Sequence, residues 1–227
     1  MLCGISVRAT HSRLAVPMTT AILFDIDGTL IDSNYLHVEA WSHGLLDAGL
    51  VVPQWKVHRH IGMDSGQLLD TLVPDATAAQ LEQATTLNSS YYRDLMPRLR
   101  VFPGAREKVA ELARAGFTVV LATSAPDDEL QVLREVLGVD EHLAVVTSAG
   151  DVDVAKPAPD LLQVALEKAG VAASDAVMVG DSVWDMLAAE RAGVRAIGVL
   201  TGGVSAAELR DAGASTVYES VADLVID

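Results

Sequence analysis

The sequence predicts an α/β fold in which a parallel β-sheet is covered by helices on both faces. Short apolar segments bounded by turn residues recur along the chain, and helical patterns that end in glycine separate them. Of the 227 residues, 50% are hydrophobic but only 4% are aromatic. Strands that are apolar throughout are typical of a parallel sheet buried on both faces, rather than of an aromatic-rich sandwich.

Five segments have the composition of buried strands. They are AILF (21–24), FTVVLA (117–122), HLAVVT (142–147), AVMVG (176–180) and VRAIGVL (194–200). Three helices are predicted between them, namely PGAREKVAELARAG (103–116), DDELQVLREVLG (127–138) and PDLLQVALEKAG (159–170). Each helix closes on a glycine, which is the usual residue at a helix C-terminus. The alternation of strand and helix therefore predicts parallel strands joined by helical crossovers.

Residues 34–100 interrupt this alternation. Three segments there have helical spacing, and no convincing strand lies between them: HVEAWSHGLLDAGL (37–50), SGQLLDTLV (65–73) and AAQLEQATTLNSSYYRDLM (78–96). We predict a helical insert at 34–100 within an α/β core made of residues 19–33 and 101–227. Residues 1–18 are expected to form an N-terminal extension outside the fold.

The composition excludes several classes of function. A formal net charge of −15 opposes binding to a nucleic-acid backbone. No apolar run approaches the roughly 20 residues of a membrane span. The single cysteine, Cys3, excludes an internal disulfide and a multi-cysteine metal site, which suits a reducing cytoplasm. We expect a cytoplasmic protein with a small-molecule partner, and the sequence leaves its oligomeric state open.

Four polar stretches follow the predicted strands. They are DIDGT (25–29), ATSA (122–125), AKPAPD (155–160) and GDSVWD (180–185). In an open parallel sheet, ligands bind at the carboxyl ends of the strands, so residues far apart in sequence meet there. We therefore expect these four stretches to lie close together.

Their chemistry indicates a site for a phosphate group. Four carboxylates supply the oxygen ligands that Mg²⁺ prefers: Asp25, Asp27, Asp181 and Asp185. Thr123 and Ser124 offer hydroxyls and N–H groups to an anion, and Lys156 adds a positive charge. Each stretch alone also has a structural reading, since D-x-D-G occurs in turns and Asp181 and Asp185 could complement a helix N-terminus. Their common placement at strand ends favours the site.

These four stretches, in this order, resemble the four motifs of the haloacid dehalogenase-like (HAD) hydrolase superfamily. The resemblance covers roughly residues 20–222, and it implies a Rossmann-like core with an inserted α-helical cap at 34–100. It also implies that Asp25 is the nucleophile and forms an aspartyl-phosphate, and that Asp27 is the general acid and base. Mg²⁺ would be held by Asp25, the carbonyl of Asp27 and Asp181, with Asp185 in support.

By the same resemblance, Thr123 and Lys156 would bind the phosphoryl oxygens, with Ser124 beside them. Dehalogenases and phosphonate-cleaving relatives lack an aspartate at the position of Asp27, so a phosphatase or a sugar-phosphate mutase is expected. His37 stands as in β-phosphoglucomutase-like proteins. However, Ser65 replaces an arginine of the mutase pattern, and residues 79–92 contain no lysine.

We therefore predict a Mg²⁺-dependent phosphatase of a small metabolite such as phosphoglycolate or a sugar phosphate, and a β-phosphoglucomutase-type isomerase is the alternative. A non-enzymatic phospho-receiver is disfavoured by the length of the chain and by the helical insert. His37 and Arg59 are candidates for contact with the substrate. A packed core histidine and an exposed hinge arginine are the competing interpretations of these two residues.

Overall fold

The computed structural model describes residues 19–226, and a six-stranded parallel sheet lies at its centre. The strands are β1 (Ala21–Phe24), β2 (Ile31–Asp32), β3 (Arg100–Val101), β4 (Thr118–Ala122), β5 (Val145–Thr147), β6 (Ala176–Gly180), β7 (Arg195–Val199) and β8 (Ala214–Tyr218). The strand order in the large sheet is β5-β4-β1-β6-β7-β8, and every neighbouring pair is parallel. The predicted fold class is confirmed.

Residues 19–226 contain nine α-helices, of which the last five connect and cover the strands of the large sheet. The nine helices are α1 (Asn34–Asp47), α2 (Gln54–His58), α3 (Ser65–Leu72), α4 (Ala78–Leu95), α5 (Ala105–Arg114), α6 (Asp127–Leu137), α7 (Asp160–Ala169), α8 (Val183–Ala192) and α9 (Ala206–Asp211). None of the helices in residues 19–226 combines the length and the apolarity that a membrane crossing requires.

The central strand β1 is buried on both faces because its side chains alternate between two cores. Ile22 and Phe24 pack in one core with side chains of α5 and α6. Ala21 and Leu23 pack in the other core with side chains of α7, α8 and α9. A strand with a helical layer on each side needs apolar residues at every position, which explains why AILF shows no polar alternation.

Helices α1–α4 lie within the range that the sequence sets apart as a helical insert. They share a third apolar core, in which Val38, Trp41 and Leu45 of α1 meet Leu68 of α3 and Ala84 of α4. The chain enters and leaves this group of helices through β2 and β3, which pair antiparallel. Both connections to the sheet therefore lie side by side. The prediction for residues 1–18 falls outside the described residues.

Several element bounds differ from the sequence prediction. The strand expected at 142–147 begins only at Val145, because residues Asp140–His142 form a 3₁₀ turn. The edge strand β8 was missed, since ASTVY at the border of the sheet has two adjacent polar residues and no continuous apolar run. The ribbon of β2 and β3 was also missed, because two-residue strands carry no periodicity.

Candidate active site

The candidate site lies at the carboxyl edge of the three central strands. Asp25 follows β1, Thr123 follows β4 and Asp181 follows β6. The chain runs from β1 outward to β4 and β5, and then returns to the other side of β1 with β6. Such a reversal of strand order leaves a crevice at the carboxyl ends of the strands, because the crossovers diverge there.

Three buried aspartates form an acidic cluster in this crevice. Oxygens of Asp25, Asp181 and Asp185 all lie within 4.8 Å of one another. Lys156 Nζ contacts two of these residues, at 2.5 Å from Asp25 Oδ1 and 2.8 Å from Asp185 Oδ1. One ammonium group faces three carboxylates, so the cluster carries excess negative charge when all three are ionised. Carboxylate oxygens of this number and spacing fit a divalent cation.

The pKa values of the cluster reflect this shortage of positive charge. Burial raises the pKa of Asp25 well above its usual range; Lys156 lowers it, and the acidic neighbours, Asp185 first, add to the rise. Burial, aided by Asp185, raises the pKa of Asp181 to about 7. Burial alone would lower the pKa of Lys156, but Asp185 and Asp25 raise it, so the ammonium stays charged. A bound divalent cation would favour the ionised carboxylates.

Asp181 is held in place by donors from the turn after β1. Thr29 Oγ1 donates to Asp181 Oδ1 at 2.9 Å, and Asn34 Nδ2 donates to Asp181 Oδ2 at 2.7 Å. Gly28 has a φ of +75°, and a Cβ at this position would lie 2.4 Å from Asp181 Oδ2. A Cβ at Gly202 would lie 1.7 Å from the same oxygen. Only glycine permits these close approaches to the carboxylate.

Asp185 serves both the helix and the cluster. Its Oδ2 accepts hydrogen bonds from the Ser182 N–H at 3.1 Å and from the Ser182 hydroxyl at 2.6 Å, which completes a capping box at the start of α8. Its Oδ1 faces Lys156. The structural and the functional interpretation of this aspartate are therefore compatible.

A fourth carboxylate, Asp27, lies outside the cluster on the wall of the adjoining cavity. Ser33 Oγ donates to Asp27 Oδ1 at 2.6 Å, and His37 Nε2 lies 3.3 Å from the same oxygen. The His37 ring is stacked on Tyr92, with 3.8 Å between ring centroids. Burial opposes the charge on Asp27, but the hydrogen bonds and the charge of His37 lower its pKa overall. Asp27 in turn raises the pKa of His37 against the effect of burial.

The cavity between the strand ends and the helical insert has a volume of about 180 Å³. Five of the predicted site residues line it: Asp25, Asp27, His37, Thr123 and Ser124. Lys156, Asp181 and Asp185 lie behind Asp25. The Ser124 hydroxyl is buried and has no hydrogen-bond partner within residues 19–226. This donor is free to meet a ligand in the cavity.

Arg59 lies away from this cavity. It is exposed and pairs with Glu208 on the core, beside a separate shallow cleft that includes Ser182 and Trp184. Arg59 does not line the cavity, so it is not part of the proposed substrate site.

Sequence reasoning missed five residues that support or line the site. They are Thr29, Ser33, Asn34, Tyr92 and Glu129. Thr29 ends the first polar stretch and Ser33 follows it by four residues, and both hydroxyls gave a usable signal. Nothing in the sequence distinguished Asn34, Tyr92 and Glu129 from other polar residues of helical segments.

The chain matches known proteins over most of its length. The sequence model of the haloacid dehalogenase-like hydrolases matches residues 19–193. A phosphoglycolate phosphatase of Agrobacterium fabrum is 30% identical over 195 residues, which cover 82% of each chain.

Solved structures share the same architecture. A hydrolase from Pseudomonas syringae has 34% sequence identity and a TM-score of 0.86, over 90% of this chain and 95% of that one. A beta-phosphoglucomutase from Clostridium difficile has a TM-score of 0.79 over 92% of this chain and 94% of that one, but only 18% identity. At this identity the second likeness concerns the fold alone.

Proposed function

Because this chain belongs to the haloacid dehalogenase-like hydrolase family and is a phosphatase, we propose that it uses Mg²⁺ and an aspartyl-phosphate intermediate to hydrolyse a small phosphomonoester. One observation carries this proposal. Asp25 meets Lys156 and two further buried carboxylates at the base of a cavity, and a separate carboxylate, Asp27, lines the same cavity. Hydrolysis in two steps requires two carboxylates of this kind, one for phosphorus and one for protons.

In the first step, a carboxylate oxygen of Asp25 attacks phosphorus, and the bond between phosphorus and the ester oxygen breaks. The leaving alkoxide takes the proton held by the pair of Asp27 and His37. In the second step, this pair removes a proton from water, which attacks the phosphorus of the aspartyl-phosphate and regenerates Asp25. The pKa of Asp27 is lowered and that of His37 is raised, which favours one shared proton on this pair; the first step gives this proton to the alkoxide, and the second step restores it from water.

The phosphoryl group needs donors and positive charge around its oxygens. Lys156 supplies charge from below Asp25, and Thr123 and Ser124 supply hydroxyl and N–H donors from the end of β4. Mg²⁺ held by Asp25, the carbonyl of Asp27, Asp181 and Asp185 would add positive charge that neutralises the phosphoryl oxygens. Lys156 also restrains the charge on Asp25 before substrate binds.

The cavity limits the size of the substrate. Its volume of about 180 Å³ lies below the roughly 300–1,000 Å³ of pockets for drug-sized ligands, which suits a small metabolite. The helical insert forms the side of the cavity opposite the strands, so it would exclude bulk water and determine which alcohol leaving groups fit. The name of the relative from Agrobacterium fabrum points to phosphoglycolate, and the fold is also compatible with sugar phosphates.

Hydrolysis is favoured over the mutase alternative by the charges around the cavity. A mutase holds a bisphosphate at both ends and therefore needs a second group of cations. In the described part of the chain, no lysine or arginine lines the cavity, and Lys156 contacts Asp25 without lining it.

The direct test measures Mg²⁺-dependent phosphate release from a panel of small phosphomonoesters. We expect Asp25→Asn to lower kcat at least about a thousandfold, because the amide cannot attack phosphorus. Acid quenching of the parent enzyme during turnover should trap phosphate on the protein, and Asp25→Asn should trap none.

The matched control is Asp32→Asn, which removes an exposed carboxylate seven residues after Asp25, in β2. This variant should keep the activity of the parent. If Asp25→Asn hydrolyses the panel as fast as Asp32→Asn does, Asp25 is not the nucleophile and the proposed mechanism is wrong.

A further inference from the structure

The wall of the cavity opposite Asp25 carries no group that could neutralise an anion. Its apolar part consists of Trp41, Ile61, Met63 and Leu68, and its neutral polar part consists of Ser65, Thr85, Asn88 and Ser89. Among residues 19–226 no lysine or arginine lines the cavity, and His37 is already paired with Asp27. A leaving group with a carboxylate or a second phosphate would therefore be buried without a counterion, which is costly.

The remaining charged residue of the cavity wall is an acid. Helix α6 begins with three acidic residues, Asp127, Asp128 and Glu129. Asp127 accepts a hydrogen bond from Ser148 Oγ at 2.5 Å, and Asp128 is exposed. Glu129 is half-buried and lines the cavity. It also lies close enough to His37 and Asp27 for each to affect the pKa of the Glu129 carboxyl.

A second acceptor faces the same space from helix α4. Asn88 lines the cavity and is only 8% exposed, yet its Oδ1 has no hydrogen-bond partner within the described chain. A buried acceptor is destabilising unless a water molecule or a ligand in the cavity supplies the donor. Gly44 of α1 packs against the backbone of Asn88, so α4 has little freedom to withdraw this group. The acceptors Asn88 Oδ1 and Glu129 both suit a ligand that donates hydrogen bonds.

We propose that the leaving group of the substrate is an uncharged, hydroxyl-bearing alcohol, and that Glu129 excludes leaving groups with a carboxylate or a second phosphate. This inference rests on the proposed function and deepens it. Hydroxyls of the alcohol donate to Asn88 Oδ1 and Glu129, while an anion at the same place meets like charge and an apolar wall. The chain would then differ in specificity from the relatives whose names contain phosphoglycolate.

The test compares two esters with the same two-carbon skeleton, phosphoglycolate and 2-hydroxyethyl phosphate. The assay is run with Mg²⁺ at pH 8, which lies above the pKa of about 7 that burial gives the Glu129 carboxyl. We expect kcat/KM for the hydroxyethyl ester to exceed that for phosphoglycolate at least about tenfold. Glu129→Gln should reduce this ratio of kcat/KM values at least about threefold, chiefly by raising kcat/KM for phosphoglycolate.

Asp128→Asn is the matched control, since it removes the same charge one residue away at an exposed position of α6. It should leave the preference unchanged. The inference is overturned if the parent has an equal or higher kcat/KM for phosphoglycolate than for the hydroxyethyl ester. It is also overturned if Glu129→Gln leaves the ratio of the two kcat/KM values unchanged. Neither result contradicts the proposed function. Release of phosphate from p-nitrophenyl phosphate without turnover of the hydroxyethyl ester also overturns the inference alone. No release from any of the three esters contradicts the proposed function itself.

Discussion

Asp25 and Asp27 are separated by one residue, yet their surroundings shift the pKa values of their carboxyls in opposite directions. Asp25 is buried among like charges, which raises its pKa, and Lys156 only partly compensates. Asp27 is also buried, but His37 and Ser33 stabilise its charged form and lower its pKa. Two carboxylates held in different environments can take different parts in one reaction. These contacts support the proposed roles of Asp25 as nucleophile and Asp27 as proton carrier.

The Glu129 carboxyl offers a test of the electrostatics at the scale of one residue. Burial raises its pKa from 4.5 to about 7. In the metal-free protein the folded state then keeps a proton that the unfolded state has lost, so stability should fall as pH rises from about 4.5 to about 7. We expect Glu129→Gln to remove this loss. The difference in unfolding free energy between variant and parent should then be about 1–3 kcal/mol more favourable to the variant at pH 8 than at pH 4.5.

Urea unfolding of parent and variant at the two pH values measures this difference. Asp128→Asn again provides the comparison, because its exposed charge should change stability little at either pH. A Glu129→Gln variant whose stability relative to the parent is the same at pH 4.5 and pH 8 would show that Glu129 ionises normally in the folded protein.

At the scale of secondary structure, the packing of helices α1 and α4 places groups of the site. Helix α1 carries His37, and helix α4 carries Tyr92 and Asn88, so the distance between the two helices positions all three side chains. Their close approach occurs at Gly44, where a Cβ would lie 2.8 Å from Asn88 N and 2.9 Å from Ala84 O. These are backbone atoms of α4, which cannot turn aside as a side chain could.

We therefore expect Gly44→Ala to destabilise the protein by about 1–3 kcal/mol, because the added methyl group overpacks this contact. It should also lower kcat/KM at least about threefold, since α4 carries Asn88 and Tyr92 with it when it moves. Urea unfolding and phosphate release measure the two effects.

The control for this prediction is Gly66→Ala, the same substitution in helix α3 of the insert. The atom nearest to its added Cβ is Asp64 Oδ1 at 3.1 Å, at the end of a side chain. This variant should be about as stable as the parent or slightly more stable, since alanine favours helices over glycine by up to about 1 kcal/mol. Equal stability of the two variants would argue against a tight contact at Gly44.

At the scale of the whole molecule, the sheet assembles the acidic cluster from separate parts of the chain. Asp25 and Asp181 are 156 positions apart in sequence but follow the neighbouring strands β1 and β6. Burial and mutual repulsion make this cluster unfavourable without a cation, as the raised pKa values of Asp25 and Asp181 indicate. A divalent cation bound at the cluster should therefore stabilise the entire fold.

We expect Mg²⁺ at about 100 times its dissociation constant to stabilise the parent protein by roughly 2–3 kcal/mol. Asp181→Asn should lose most of this gain, because it removes a ligand charge from the cluster. Thermal unfolding with and without Mg²⁺ measures the effect without reference to activity.

Asp211→Asn, which removes an exposed carboxylate at the end of α9, should keep the full increase. The same rise in Tm for Asp181→Asn as for Asp211→Asn would place the Mg²⁺ effect elsewhere on this acidic protein.

The four polar stretches and the five apolar segments suffice to predict the fold class and the family. Period-two and helical patterns arise from local backbone geometry, so they can be read from one chain. The same reasoning missed β8 and the ribbon of β2 and β3, and it placed the start of β5 three residues too early. Strand β8 lies at the border of the sheet, β2 and β3 have only two residues each, and a 3₁₀ turn precedes β5. None of these leaves a periodic pattern in the sequence.

The sequence by itself determined which residues follow the strands, and hence that Asp25, Thr123, Lys156 and Asp181 could meet at one edge. Only the tertiary structure decided what surrounds them. It turned Arg59 toward Glu208, set His37 beside Asp27, and brought Asn88 of α4 and Glu129 of α6 to the lining of the same cavity. The direction of a side chain on a helix depends on how that helix packs against its neighbours, and the packing of α1, α4 and α6 involves contacts far apart in sequence. The charge around the leaving group is therefore a tertiary property, whereas the phosphate site is largely encoded in local motifs.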